Sequence, residues 1–444
     1  MSATIPGPSR WETFTKLGAQ PFLRLPTFLA EMTDRYGAIV AFELPLRRFV
    51  LLNDPAQIKD VFVTQQHSFG RSEGGRALRR LLGSGLLTSE EPHHRQMRRI
   101  VQPAFHRERI AAYGRTMLAH AAAWAAEQRA PTQIDVHAEM SELTLRIAGE
   151  TLFGVDAGPK AEAVRGALRA TMESYPLGLG PMGRVRSMLH FLPSTRRFTD
   201  ARSALDEIIY AMIAQRRASS EVGSDALSLL IAAEDAEEGI HPSDEQVRDE
   251  ALTLFLAGHE TTANALLWTW YQLAQNPDAE AKLHAEVDGV SLDGDPIELF
   301  LALEYTRRVI RESMRLYPPA WIVGREAHED LTLAGGFNIT AGTTVFICPL
   351  VLHRRIEFYP DPLRFDPDRW LRDDVPPFAY VPFGGGARRC IGEEFAWTES
   401  ALVLATLARS FRFALEGPPN VELAPLVTLR PKGAVPMRLI PRSL

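Results

Sequence analysis

From about residue 92 to about residue 290 apolar residues recur at three-and-four spacing, and segments such as ERIAAYGRTMLAHAAAWAAEQ and FTDARSALDEIIYAMIAQRR predict helices. One stretch stands apart. SDEQVRDEALTLFLAGHETTANALLWTWYQLAQ follows His241-Pro242, opens with a capping-box pattern from Ser243 to Gln246, and continues for about nine turns without a proline. It is apolar enough to be core, yet AGHETT at 257–262 places His, Glu and two Thr in its middle. Before this region the pattern is mixed. Pro6 to Pro26 is a proline-punctuated lead, and IVAFELPLRRFVLL (39–52) has the β-branched and aromatic content of a hairpin turning at Pro45 to Arg48. Strand signals return in LTLAGGFNITAGTTVFICP and after Phe411, while EEFAWTESALVLATLARSF predicts a helix. Tyr175 to Pro193 is rich in Gly and Pro and also apolar, which suits either a mobile flap over a greasy site or a buried connection. The fold class is mainly α with small β-sheets. No repeat or long linker divides the chain, so residues 1–444 are expected to form a single domain.

Composition removes several functions. The chain is 45% hydrophobic and 23% charged, ordinary for a globular protein, and its net charge of -6 gives no footprint for nucleic acid. The N-terminus lacks a signal-peptide pattern and no stretch reaches the roughly 20 apolar residues of a membrane helix. A cytoplasmic location without a transmembrane anchor is expected. Two cysteines cannot form a disulfide framework. Cys348, in TTVFICPL, reads as a small buried hydrophobe.

Cys390 needs a separate explanation, because it sits in FGGGARRCIG (383–392) among glycines and arginines. The glycines free the backbone for close approach, and Arg388, Arg389 and the following helix N-terminus favour a thiolate over a thiol. A catalytic nucleophile would want a histidine, and no cysteine-protease signature surrounds this residue. A phosphate cradle would explain the glycines, but the GxxxxGK pattern is absent. A thiolate ligand to a large planar metal cofactor accounts for the glycines, the single sulfur and the arginine together. In AGHETT, Glu260 is costly to bury unless paired; alternatively it points to solvent while Thr261 bonds back to a carbonyl.

Phe383, Gly386, Arg388, Cys390 and Gly392 match the FxxGxRxCxG haem loop of the cytochrome P-450 monooxygenases, which the chain therefore resembles. Three further matches follow the family's order: AGHETT resembles the oxygen-activation motif, ESMR (Glu312 to Arg315) its ExxR, and FDPDRW (365–370) its meander segment, with Trp370 in place of the usual Phe. The resemblance implies the cytochrome P-450 fold, with haem b (iron protoporphyrin IX) between the long central helix and the Cys-bearing loop and helix. It implies Cys390 as axial iron ligand, with Phe383, Gly384 and Gly392 in the loop around it. His94, Arg98, Arg325 and Arg388 fall where the family meets the haem propionates; a solvated basic face is the alternative for the first two. Glu312, Arg315 and Arg369 would form a buried ion network bracing the core. Ala257 would let the helix pass close over the haem, and Glu260 with Thr261 would deliver protons.

The implied reaction is RH + O2 + two electrons + two protons to ROH + H2O. Electrons would come from separate proteins, a ferredoxin and its reductase or a flavodoxin-type donor, since the haem domain takes up the whole length and leaves no fused reductase. Leu87, Ala257, Ala320, Ile322 and Val323 fall where the family lines its substrate pocket and are all apolar, which suits a lipophilic small molecule. RLYPPAWIVGRE and TLRPKGAVP are similar to carotenoid-hydroxylating bacterial members and more loosely to fatty-acid hydroxylases; terpenoids and steroids fit the same wall. The alternatives are a peroxide-driven peroxygenase and a haem-thiolate protein that binds a gas without oxidation; the Glu260-Thr261 pair weighs against both.

Overall fold

The computed structural model describes residues 4–442 except 19–20, 46, 130, 156–165, 168–169, 171–174, 176–192, 219–222, 224, 234–238 and 240. The flap expected at Tyr175 to Pro193 lies, apart from its two ends, outside the described residues. The strands are β1 (Ile39–Leu44), β2 (Arg47–Leu52), β3 (Phe69–Arg71), β4 (Thr132–Asp135), β5 (Val323–Ala327), β6 (Leu331–Leu333), β7 (Phe337–Ile339), β8 (Thr344–Ile347), β9 (Phe411–Leu415), β10 (Leu423–Pro425), β11 (Leu429–Pro431) and β12 (Pro436–Pro441). Helices make up most of the rest, so the protein is mainly α with small separate sheets. Backbone packing divides it into two compact units, each assembled from distant parts of the chain.

The first unit comprises Met1–Ala77, Met314–Cys390 and Leu423–Arg430. Its five-stranded sheet has the order β1-β2-β8-β5-β3. The hairpin forms over 39–52, with Ile39 opposite Leu52 and Leu44 opposite Arg47, but the turn expected at Pro45 to Arg48 is shorter, because Arg47 and Arg48 are already paired in β2. Strand alternation gives the sheet two apolar faces. Val50, Leu52, Val345 and Ile347 bury one side with Phe62 and Val381, while Leu51, Phe42 and Phe49 pack the other with Phe28 and Trp321. The proline-punctuated lead is more ordered than its sequence suggests: helices span Arg10–Leu17 and Pro21–Tyr36, the first capped by the Ser9 hydroxyl and the second continuing through Pro26.

The second unit comprises Leu78–Ser313, Ile391–Glu422 and Pro431–Leu444. At its centre runs the helix Asp244–Gln275, opened by the full capping box of Ser243 and Gln246. Every residue from Val247 to Leu273 is buried except Ala257, Gly258 and Thr261. Helices Val136–Phe153, Pro193–Ala218 and Glu393–Ser410 pack around it, which is why its sequence is apolar on all sides. Trp270 stacks on Phe413 of β9 at 3.8 Å, tying the helix to the sheet β4-β12-β9.

Candidate functional site

In the first unit the Cys390 loop is held by its own backbone. The Cys390 N–H donates to the Phe383 carbonyl (3.0 Å), the Arg389 N–H to Gly386 (3.1 Å) and the Gly384 N–H to Val381 (3.1 Å). Gly384 and Gly386 take φ of 70° and 66°, which only glycine adopts without strain. Gly386 also needs its missing side chain: a Cβ there would stand 1.6 Å from the Phe62 carbonyl oxygen. Gly384 faces the other way, with nothing within 4 Å of its Cβ position. The loop is thus pressed against the Asp60–Thr64 turn on one side and open beside Gly384, and the Cys390 thiol is exposed. Phe383, Arg388 and Gly392 are half-buried. At the loop's foot, buried His353 accepts the Val381 N–H through Nε2 (2.9 Å). Burial, with the neighbouring Arg315 charge, lowers His353 to about 3, so it is the neutral acceptor that this bond requires. Cys348 is a different kind of thiol: burial pushes it up to about 12, in line with the apolar role its sequence predicts.

Arg325 is buried on β5 and lies over the Phe62 ring, 5.9 Å from its centroid. Directly opposite it on β3 stands Arg71, also buried, which the motif comparison did not single out. Facing residues of an antiparallel pair share one side of the sheet, so the two arginine side chains leave the β3–β5 ladder on the same face. Glu326, next in sequence, pairs instead with Arg76 (2.8 Å). An exposed thiol on a fixed loop, open space at Gly384 and two buried cations together fit a haem, which needs one thiolate and counter-charges for two carboxylates.

The ExxR and meander residues are buried as expected. Glu312 and Arg315 are fully buried on the helix Glu304–Leu316, and Arg369 is nearly so. Arg315 donates to the carbonyls of His353 (2.9 Å), Pro362 (2.6 Å) and Arg364 (3.1 Å), and Arg369 to those of Pro360 and Asp361. Both arginines therefore brace one loop, 353–364, through its backbone.

In the second unit the central helix opens where AGHETT lies. Ala257 is exposed and Thr261, one turn on, is half-buried with its hydroxyl donating to the Ala257 carbonyl (2.6 Å). Of the two alternatives, the back-bond of Thr261 forms, but Glu260 does not reach solvent: it is buried. A second buried carboxyl, absent from the sequence reading, adjoins this motif. Glu399 on the Glu393–Ser410 helix is fully buried, and burial raises its pKa well above the usual carboxylate range against the opposing influence of Thr262. No spacing signal marks it, because its role depends on which helix it meets.

His94 is 2% exposed on the helix His93–Val101, its Nδ1 2.9 Å from the Glu91 carboxylate, and Arg98 follows one turn later, half-buried. Burial of His94 is not what a solvated basic face shows. Of the expected pocket residues, Leu87 and Ala257 are exposed on the second unit, while Ala320, Ile322 and Val323 are half-buried on the first.

With a cysteine loop and an opened helix of this kind defined, the family follows. The cytochrome P-450 family model matches residues 5–436, and the chain belongs to this family of haem-dependent monooxygenases. It is 39% identical over 421 residues to the cyclooctatin synthase of Streptomyces melanosporofaciens, covering 93% of this chain and 90% of that one. It is 35% identical to the cyclooctat-9-en-7-ol 5-monooxygenase of the same organism, covering 92% and 91%. A pentalenene oxygenase of Streptomyces avermitilis is 34% identical over 372 residues, 82% of each chain. Among the described residues no helix is long and apolar enough to cross a membrane.

Proposed function

We propose that the protein is a cytoplasmic, single-domain haem b monooxygenase that hydroxylates a cyclic terpenoid, with Cys390 as the iron ligand. The observation that carries this reading is the opening of an otherwise buried helix at Ala257 and Thr261, with Glu260 buried beside them. A haem bound at Cys390 supplies the chemistry that reduces O2 and inserts one oxygen atom into a C–H bond.

The chain's own residues have distinct tasks. Arg325, Arg71, His94, Arg98 and Arg388 hold the haem carboxylates, and the 383–392 loop fixes the sulfur. Thr261 presents a hydroxyl on the open face, and Glu260 passes it protons, two of which are consumed in forming water. Leu87 and Ala257 in the second unit, and Ala320, Ile322 and Val323 in the first, are the apolar side chains assigned to the substrate. Electrons come from a ferredoxin and its reductase, or from a flavodoxin-type donor.

The terpenoid class is supported by relatives named for cyclooctatin, cyclooctat-9-en-7-ol and pentalenene, together with the apolar character of these five residues. The test is reconstitution with a ferredoxin, its reductase, NAD(P)H and a panel of cyclic terpenes, carotenoids and fatty acids under 18O2. One labelled oxygen in an alcohol from a cyclic terpene is expected. Turnover with peroxide alone at the same rate would indicate a peroxygenase, and oxidation of only linear chains would reject the substrate class.

A further inference from the structure

Two carboxylates on the central helix have no part in the chemistry above. Asp249 and Glu250 lie within the described second unit, about two helical turns before Ala257, and both are buried. Each accepts a backbone N–H from the segment 83–89: Ser84 donates to Asp249 Oδ2 (2.6 Å) and Leu86 to Glu250 Oε2 (3.0 Å). The contact leaves no room for a side chain at either glycine. A Cβ on Gly83 would stand 2.1 Å from the Asp249 carboxylate, and one on Gly85 would stand 2.2 Å from Thr253 Oγ1 and 2.6 Å from the Asp249 carbonyl oxygen. The segment is also closed on itself, the Thr88 hydroxyl donating to the Gly83 carbonyl (2.7 Å).

Helical periodicity gives this contact its meaning. Glu250, Ala257 and Thr261 are seven and four residues apart, so they share one stripe of the helix. The segment occupies the N-terminal part of the stripe whose middle is open. Within it Leu86 is buried at 8%, its N–H bond fixing the Gly85–Leu86 peptide, and the next residue, Leu87, is exposed at 38%. Glu250 carries burial's mark: its pKa is pushed up to about 8 by desolvation, lowered in part by the Leu86 N–H and raised by the Asp249 charge. Asp249 is itself held by Arg248, which also reaches Asp206 on the neighbouring helix.

We propose that Asp249 and Glu250 are positioning residues that dock segment 83–89 on the central helix and so set how bulky a molecule passes Leu87. The proposal rests on the haem-pocket reading above, and it concerns selectivity and not the oxygen chemistry. Glu250→Gln keeps the acceptor oxygen and is expected to keep the docking; Glu250→Leu removes it, and Gly85→Ala forces the backbones apart from the other side.

The experiment uses the full-length holoprotein and two readouts. Hydrogen exchange across 83–89 is expected to accelerate about tenfold or more in Glu250→Leu and Gly85→Ala, and to stay within about twofold of wild type in Glu250→Gln. Spectral titration with imidazole and with the bulky triaryl imidazole clotrimazole is expected to show the ratio of the two affinities shifting about fivefold or more in the first two variants only. Exchange unchanged in Glu250→Leu and in Gly85→Ala would overturn the docking. Faster exchange with an unchanged affinity ratio, or with both affinities falling together, would overturn the selectivity role. If wild type gives no nitrogen-ligated haem spectrum, it is the haem reading that fails, while exchange still decides the docking.

Discussion

Arg71 and Arg325 stand directly opposite one another on β3 and β5, both buried, with the Arg325 guanidinium over the ring of Phe62. Two cations on one face of a sheet favour a dianion bound beside them. Arg71→Leu should therefore weaken haem retention although Arg71 lies in none of the family's motifs. Haem transfer to an acceptor protein is expected to be about tenfold faster than in wild type, with Arg325→Leu similar. The haem-to-protein ratio after gel filtration gives a second check.

The proton-delivery role proposed for Glu260 and Thr261 predicts two separable defects. Thr261→Ala removes the hydroxyl on the open face and should leave NAD(P)H consumption largely intact while product per NAD(P)H falls, the difference appearing as peroxide. Glu260→Gln withdraws the buried acid and should slow turnover itself, by about a hundredfold. Measuring NAD(P)H, peroxide and product together distinguishes them.

Stability should respond to pH through Glu250. Its folded pKa of about 8 lies above the ordinary 4.5, so its contribution is fully present below about pH 4.5 and is lost as pH rises towards 8. The stability of Glu250→Gln relative to wild type should therefore grow by about 1.4 kcal/mol per pH unit across that window and level off above it. His353 works in the opposite sense: its pKa is lowered to about 3, so its contribution is lost as pH falls below about 6.5. Denaturant melts of wild type and Glu250→Gln at pH 5, 6.5, 8 and 9 test the slope.

Arg315 donates to three carbonyls of the 353–364 loop, whose His353 in turn supports Val381 at the foot of the cysteine loop. Arg315→Leu leaves those carbonyls without their donor in a buried place and should cost about 3 kcal/mol or more. Arg315→Lys, with one compact ammonium in place of a planar fork, should recover only part of it. A chain that binds haem normally with Arg315→Leu would show that the bracing is dispensable.

Much of this was legible in the sequence because the signals are local. The capping box at Ser243 and Gln246, the hairpin at 39–52 and the glycines of 383–392 each specify backbone geometry within a few residues; all three form, the hairpin with Arg47 and Arg48 in its strand instead of its turn. The N-terminal helices escaped because Pro21 stands at a helix start and Pro26 is accommodated inside one, so proline misled as a breaker. Arg71, Phe62, Glu250 and Glu399 escaped for another reason. Their partners, Arg325, Gly386, Leu86 and Thr262, lie more than a hundred residues away, and no periodicity reveals such a meeting.

The most direct test concerns Cys390. The difference spectrum of the reduced, carbon-monoxide-bound protein should show the red-shifted Soret band of thiolate ligation, and Cys390→Ala should abolish it while Cys348→Ala leaves it unchanged. Absence of the band in wild type, or its survival in Cys390→Ala, would contradict the assignment of Cys390 as the haem ligand.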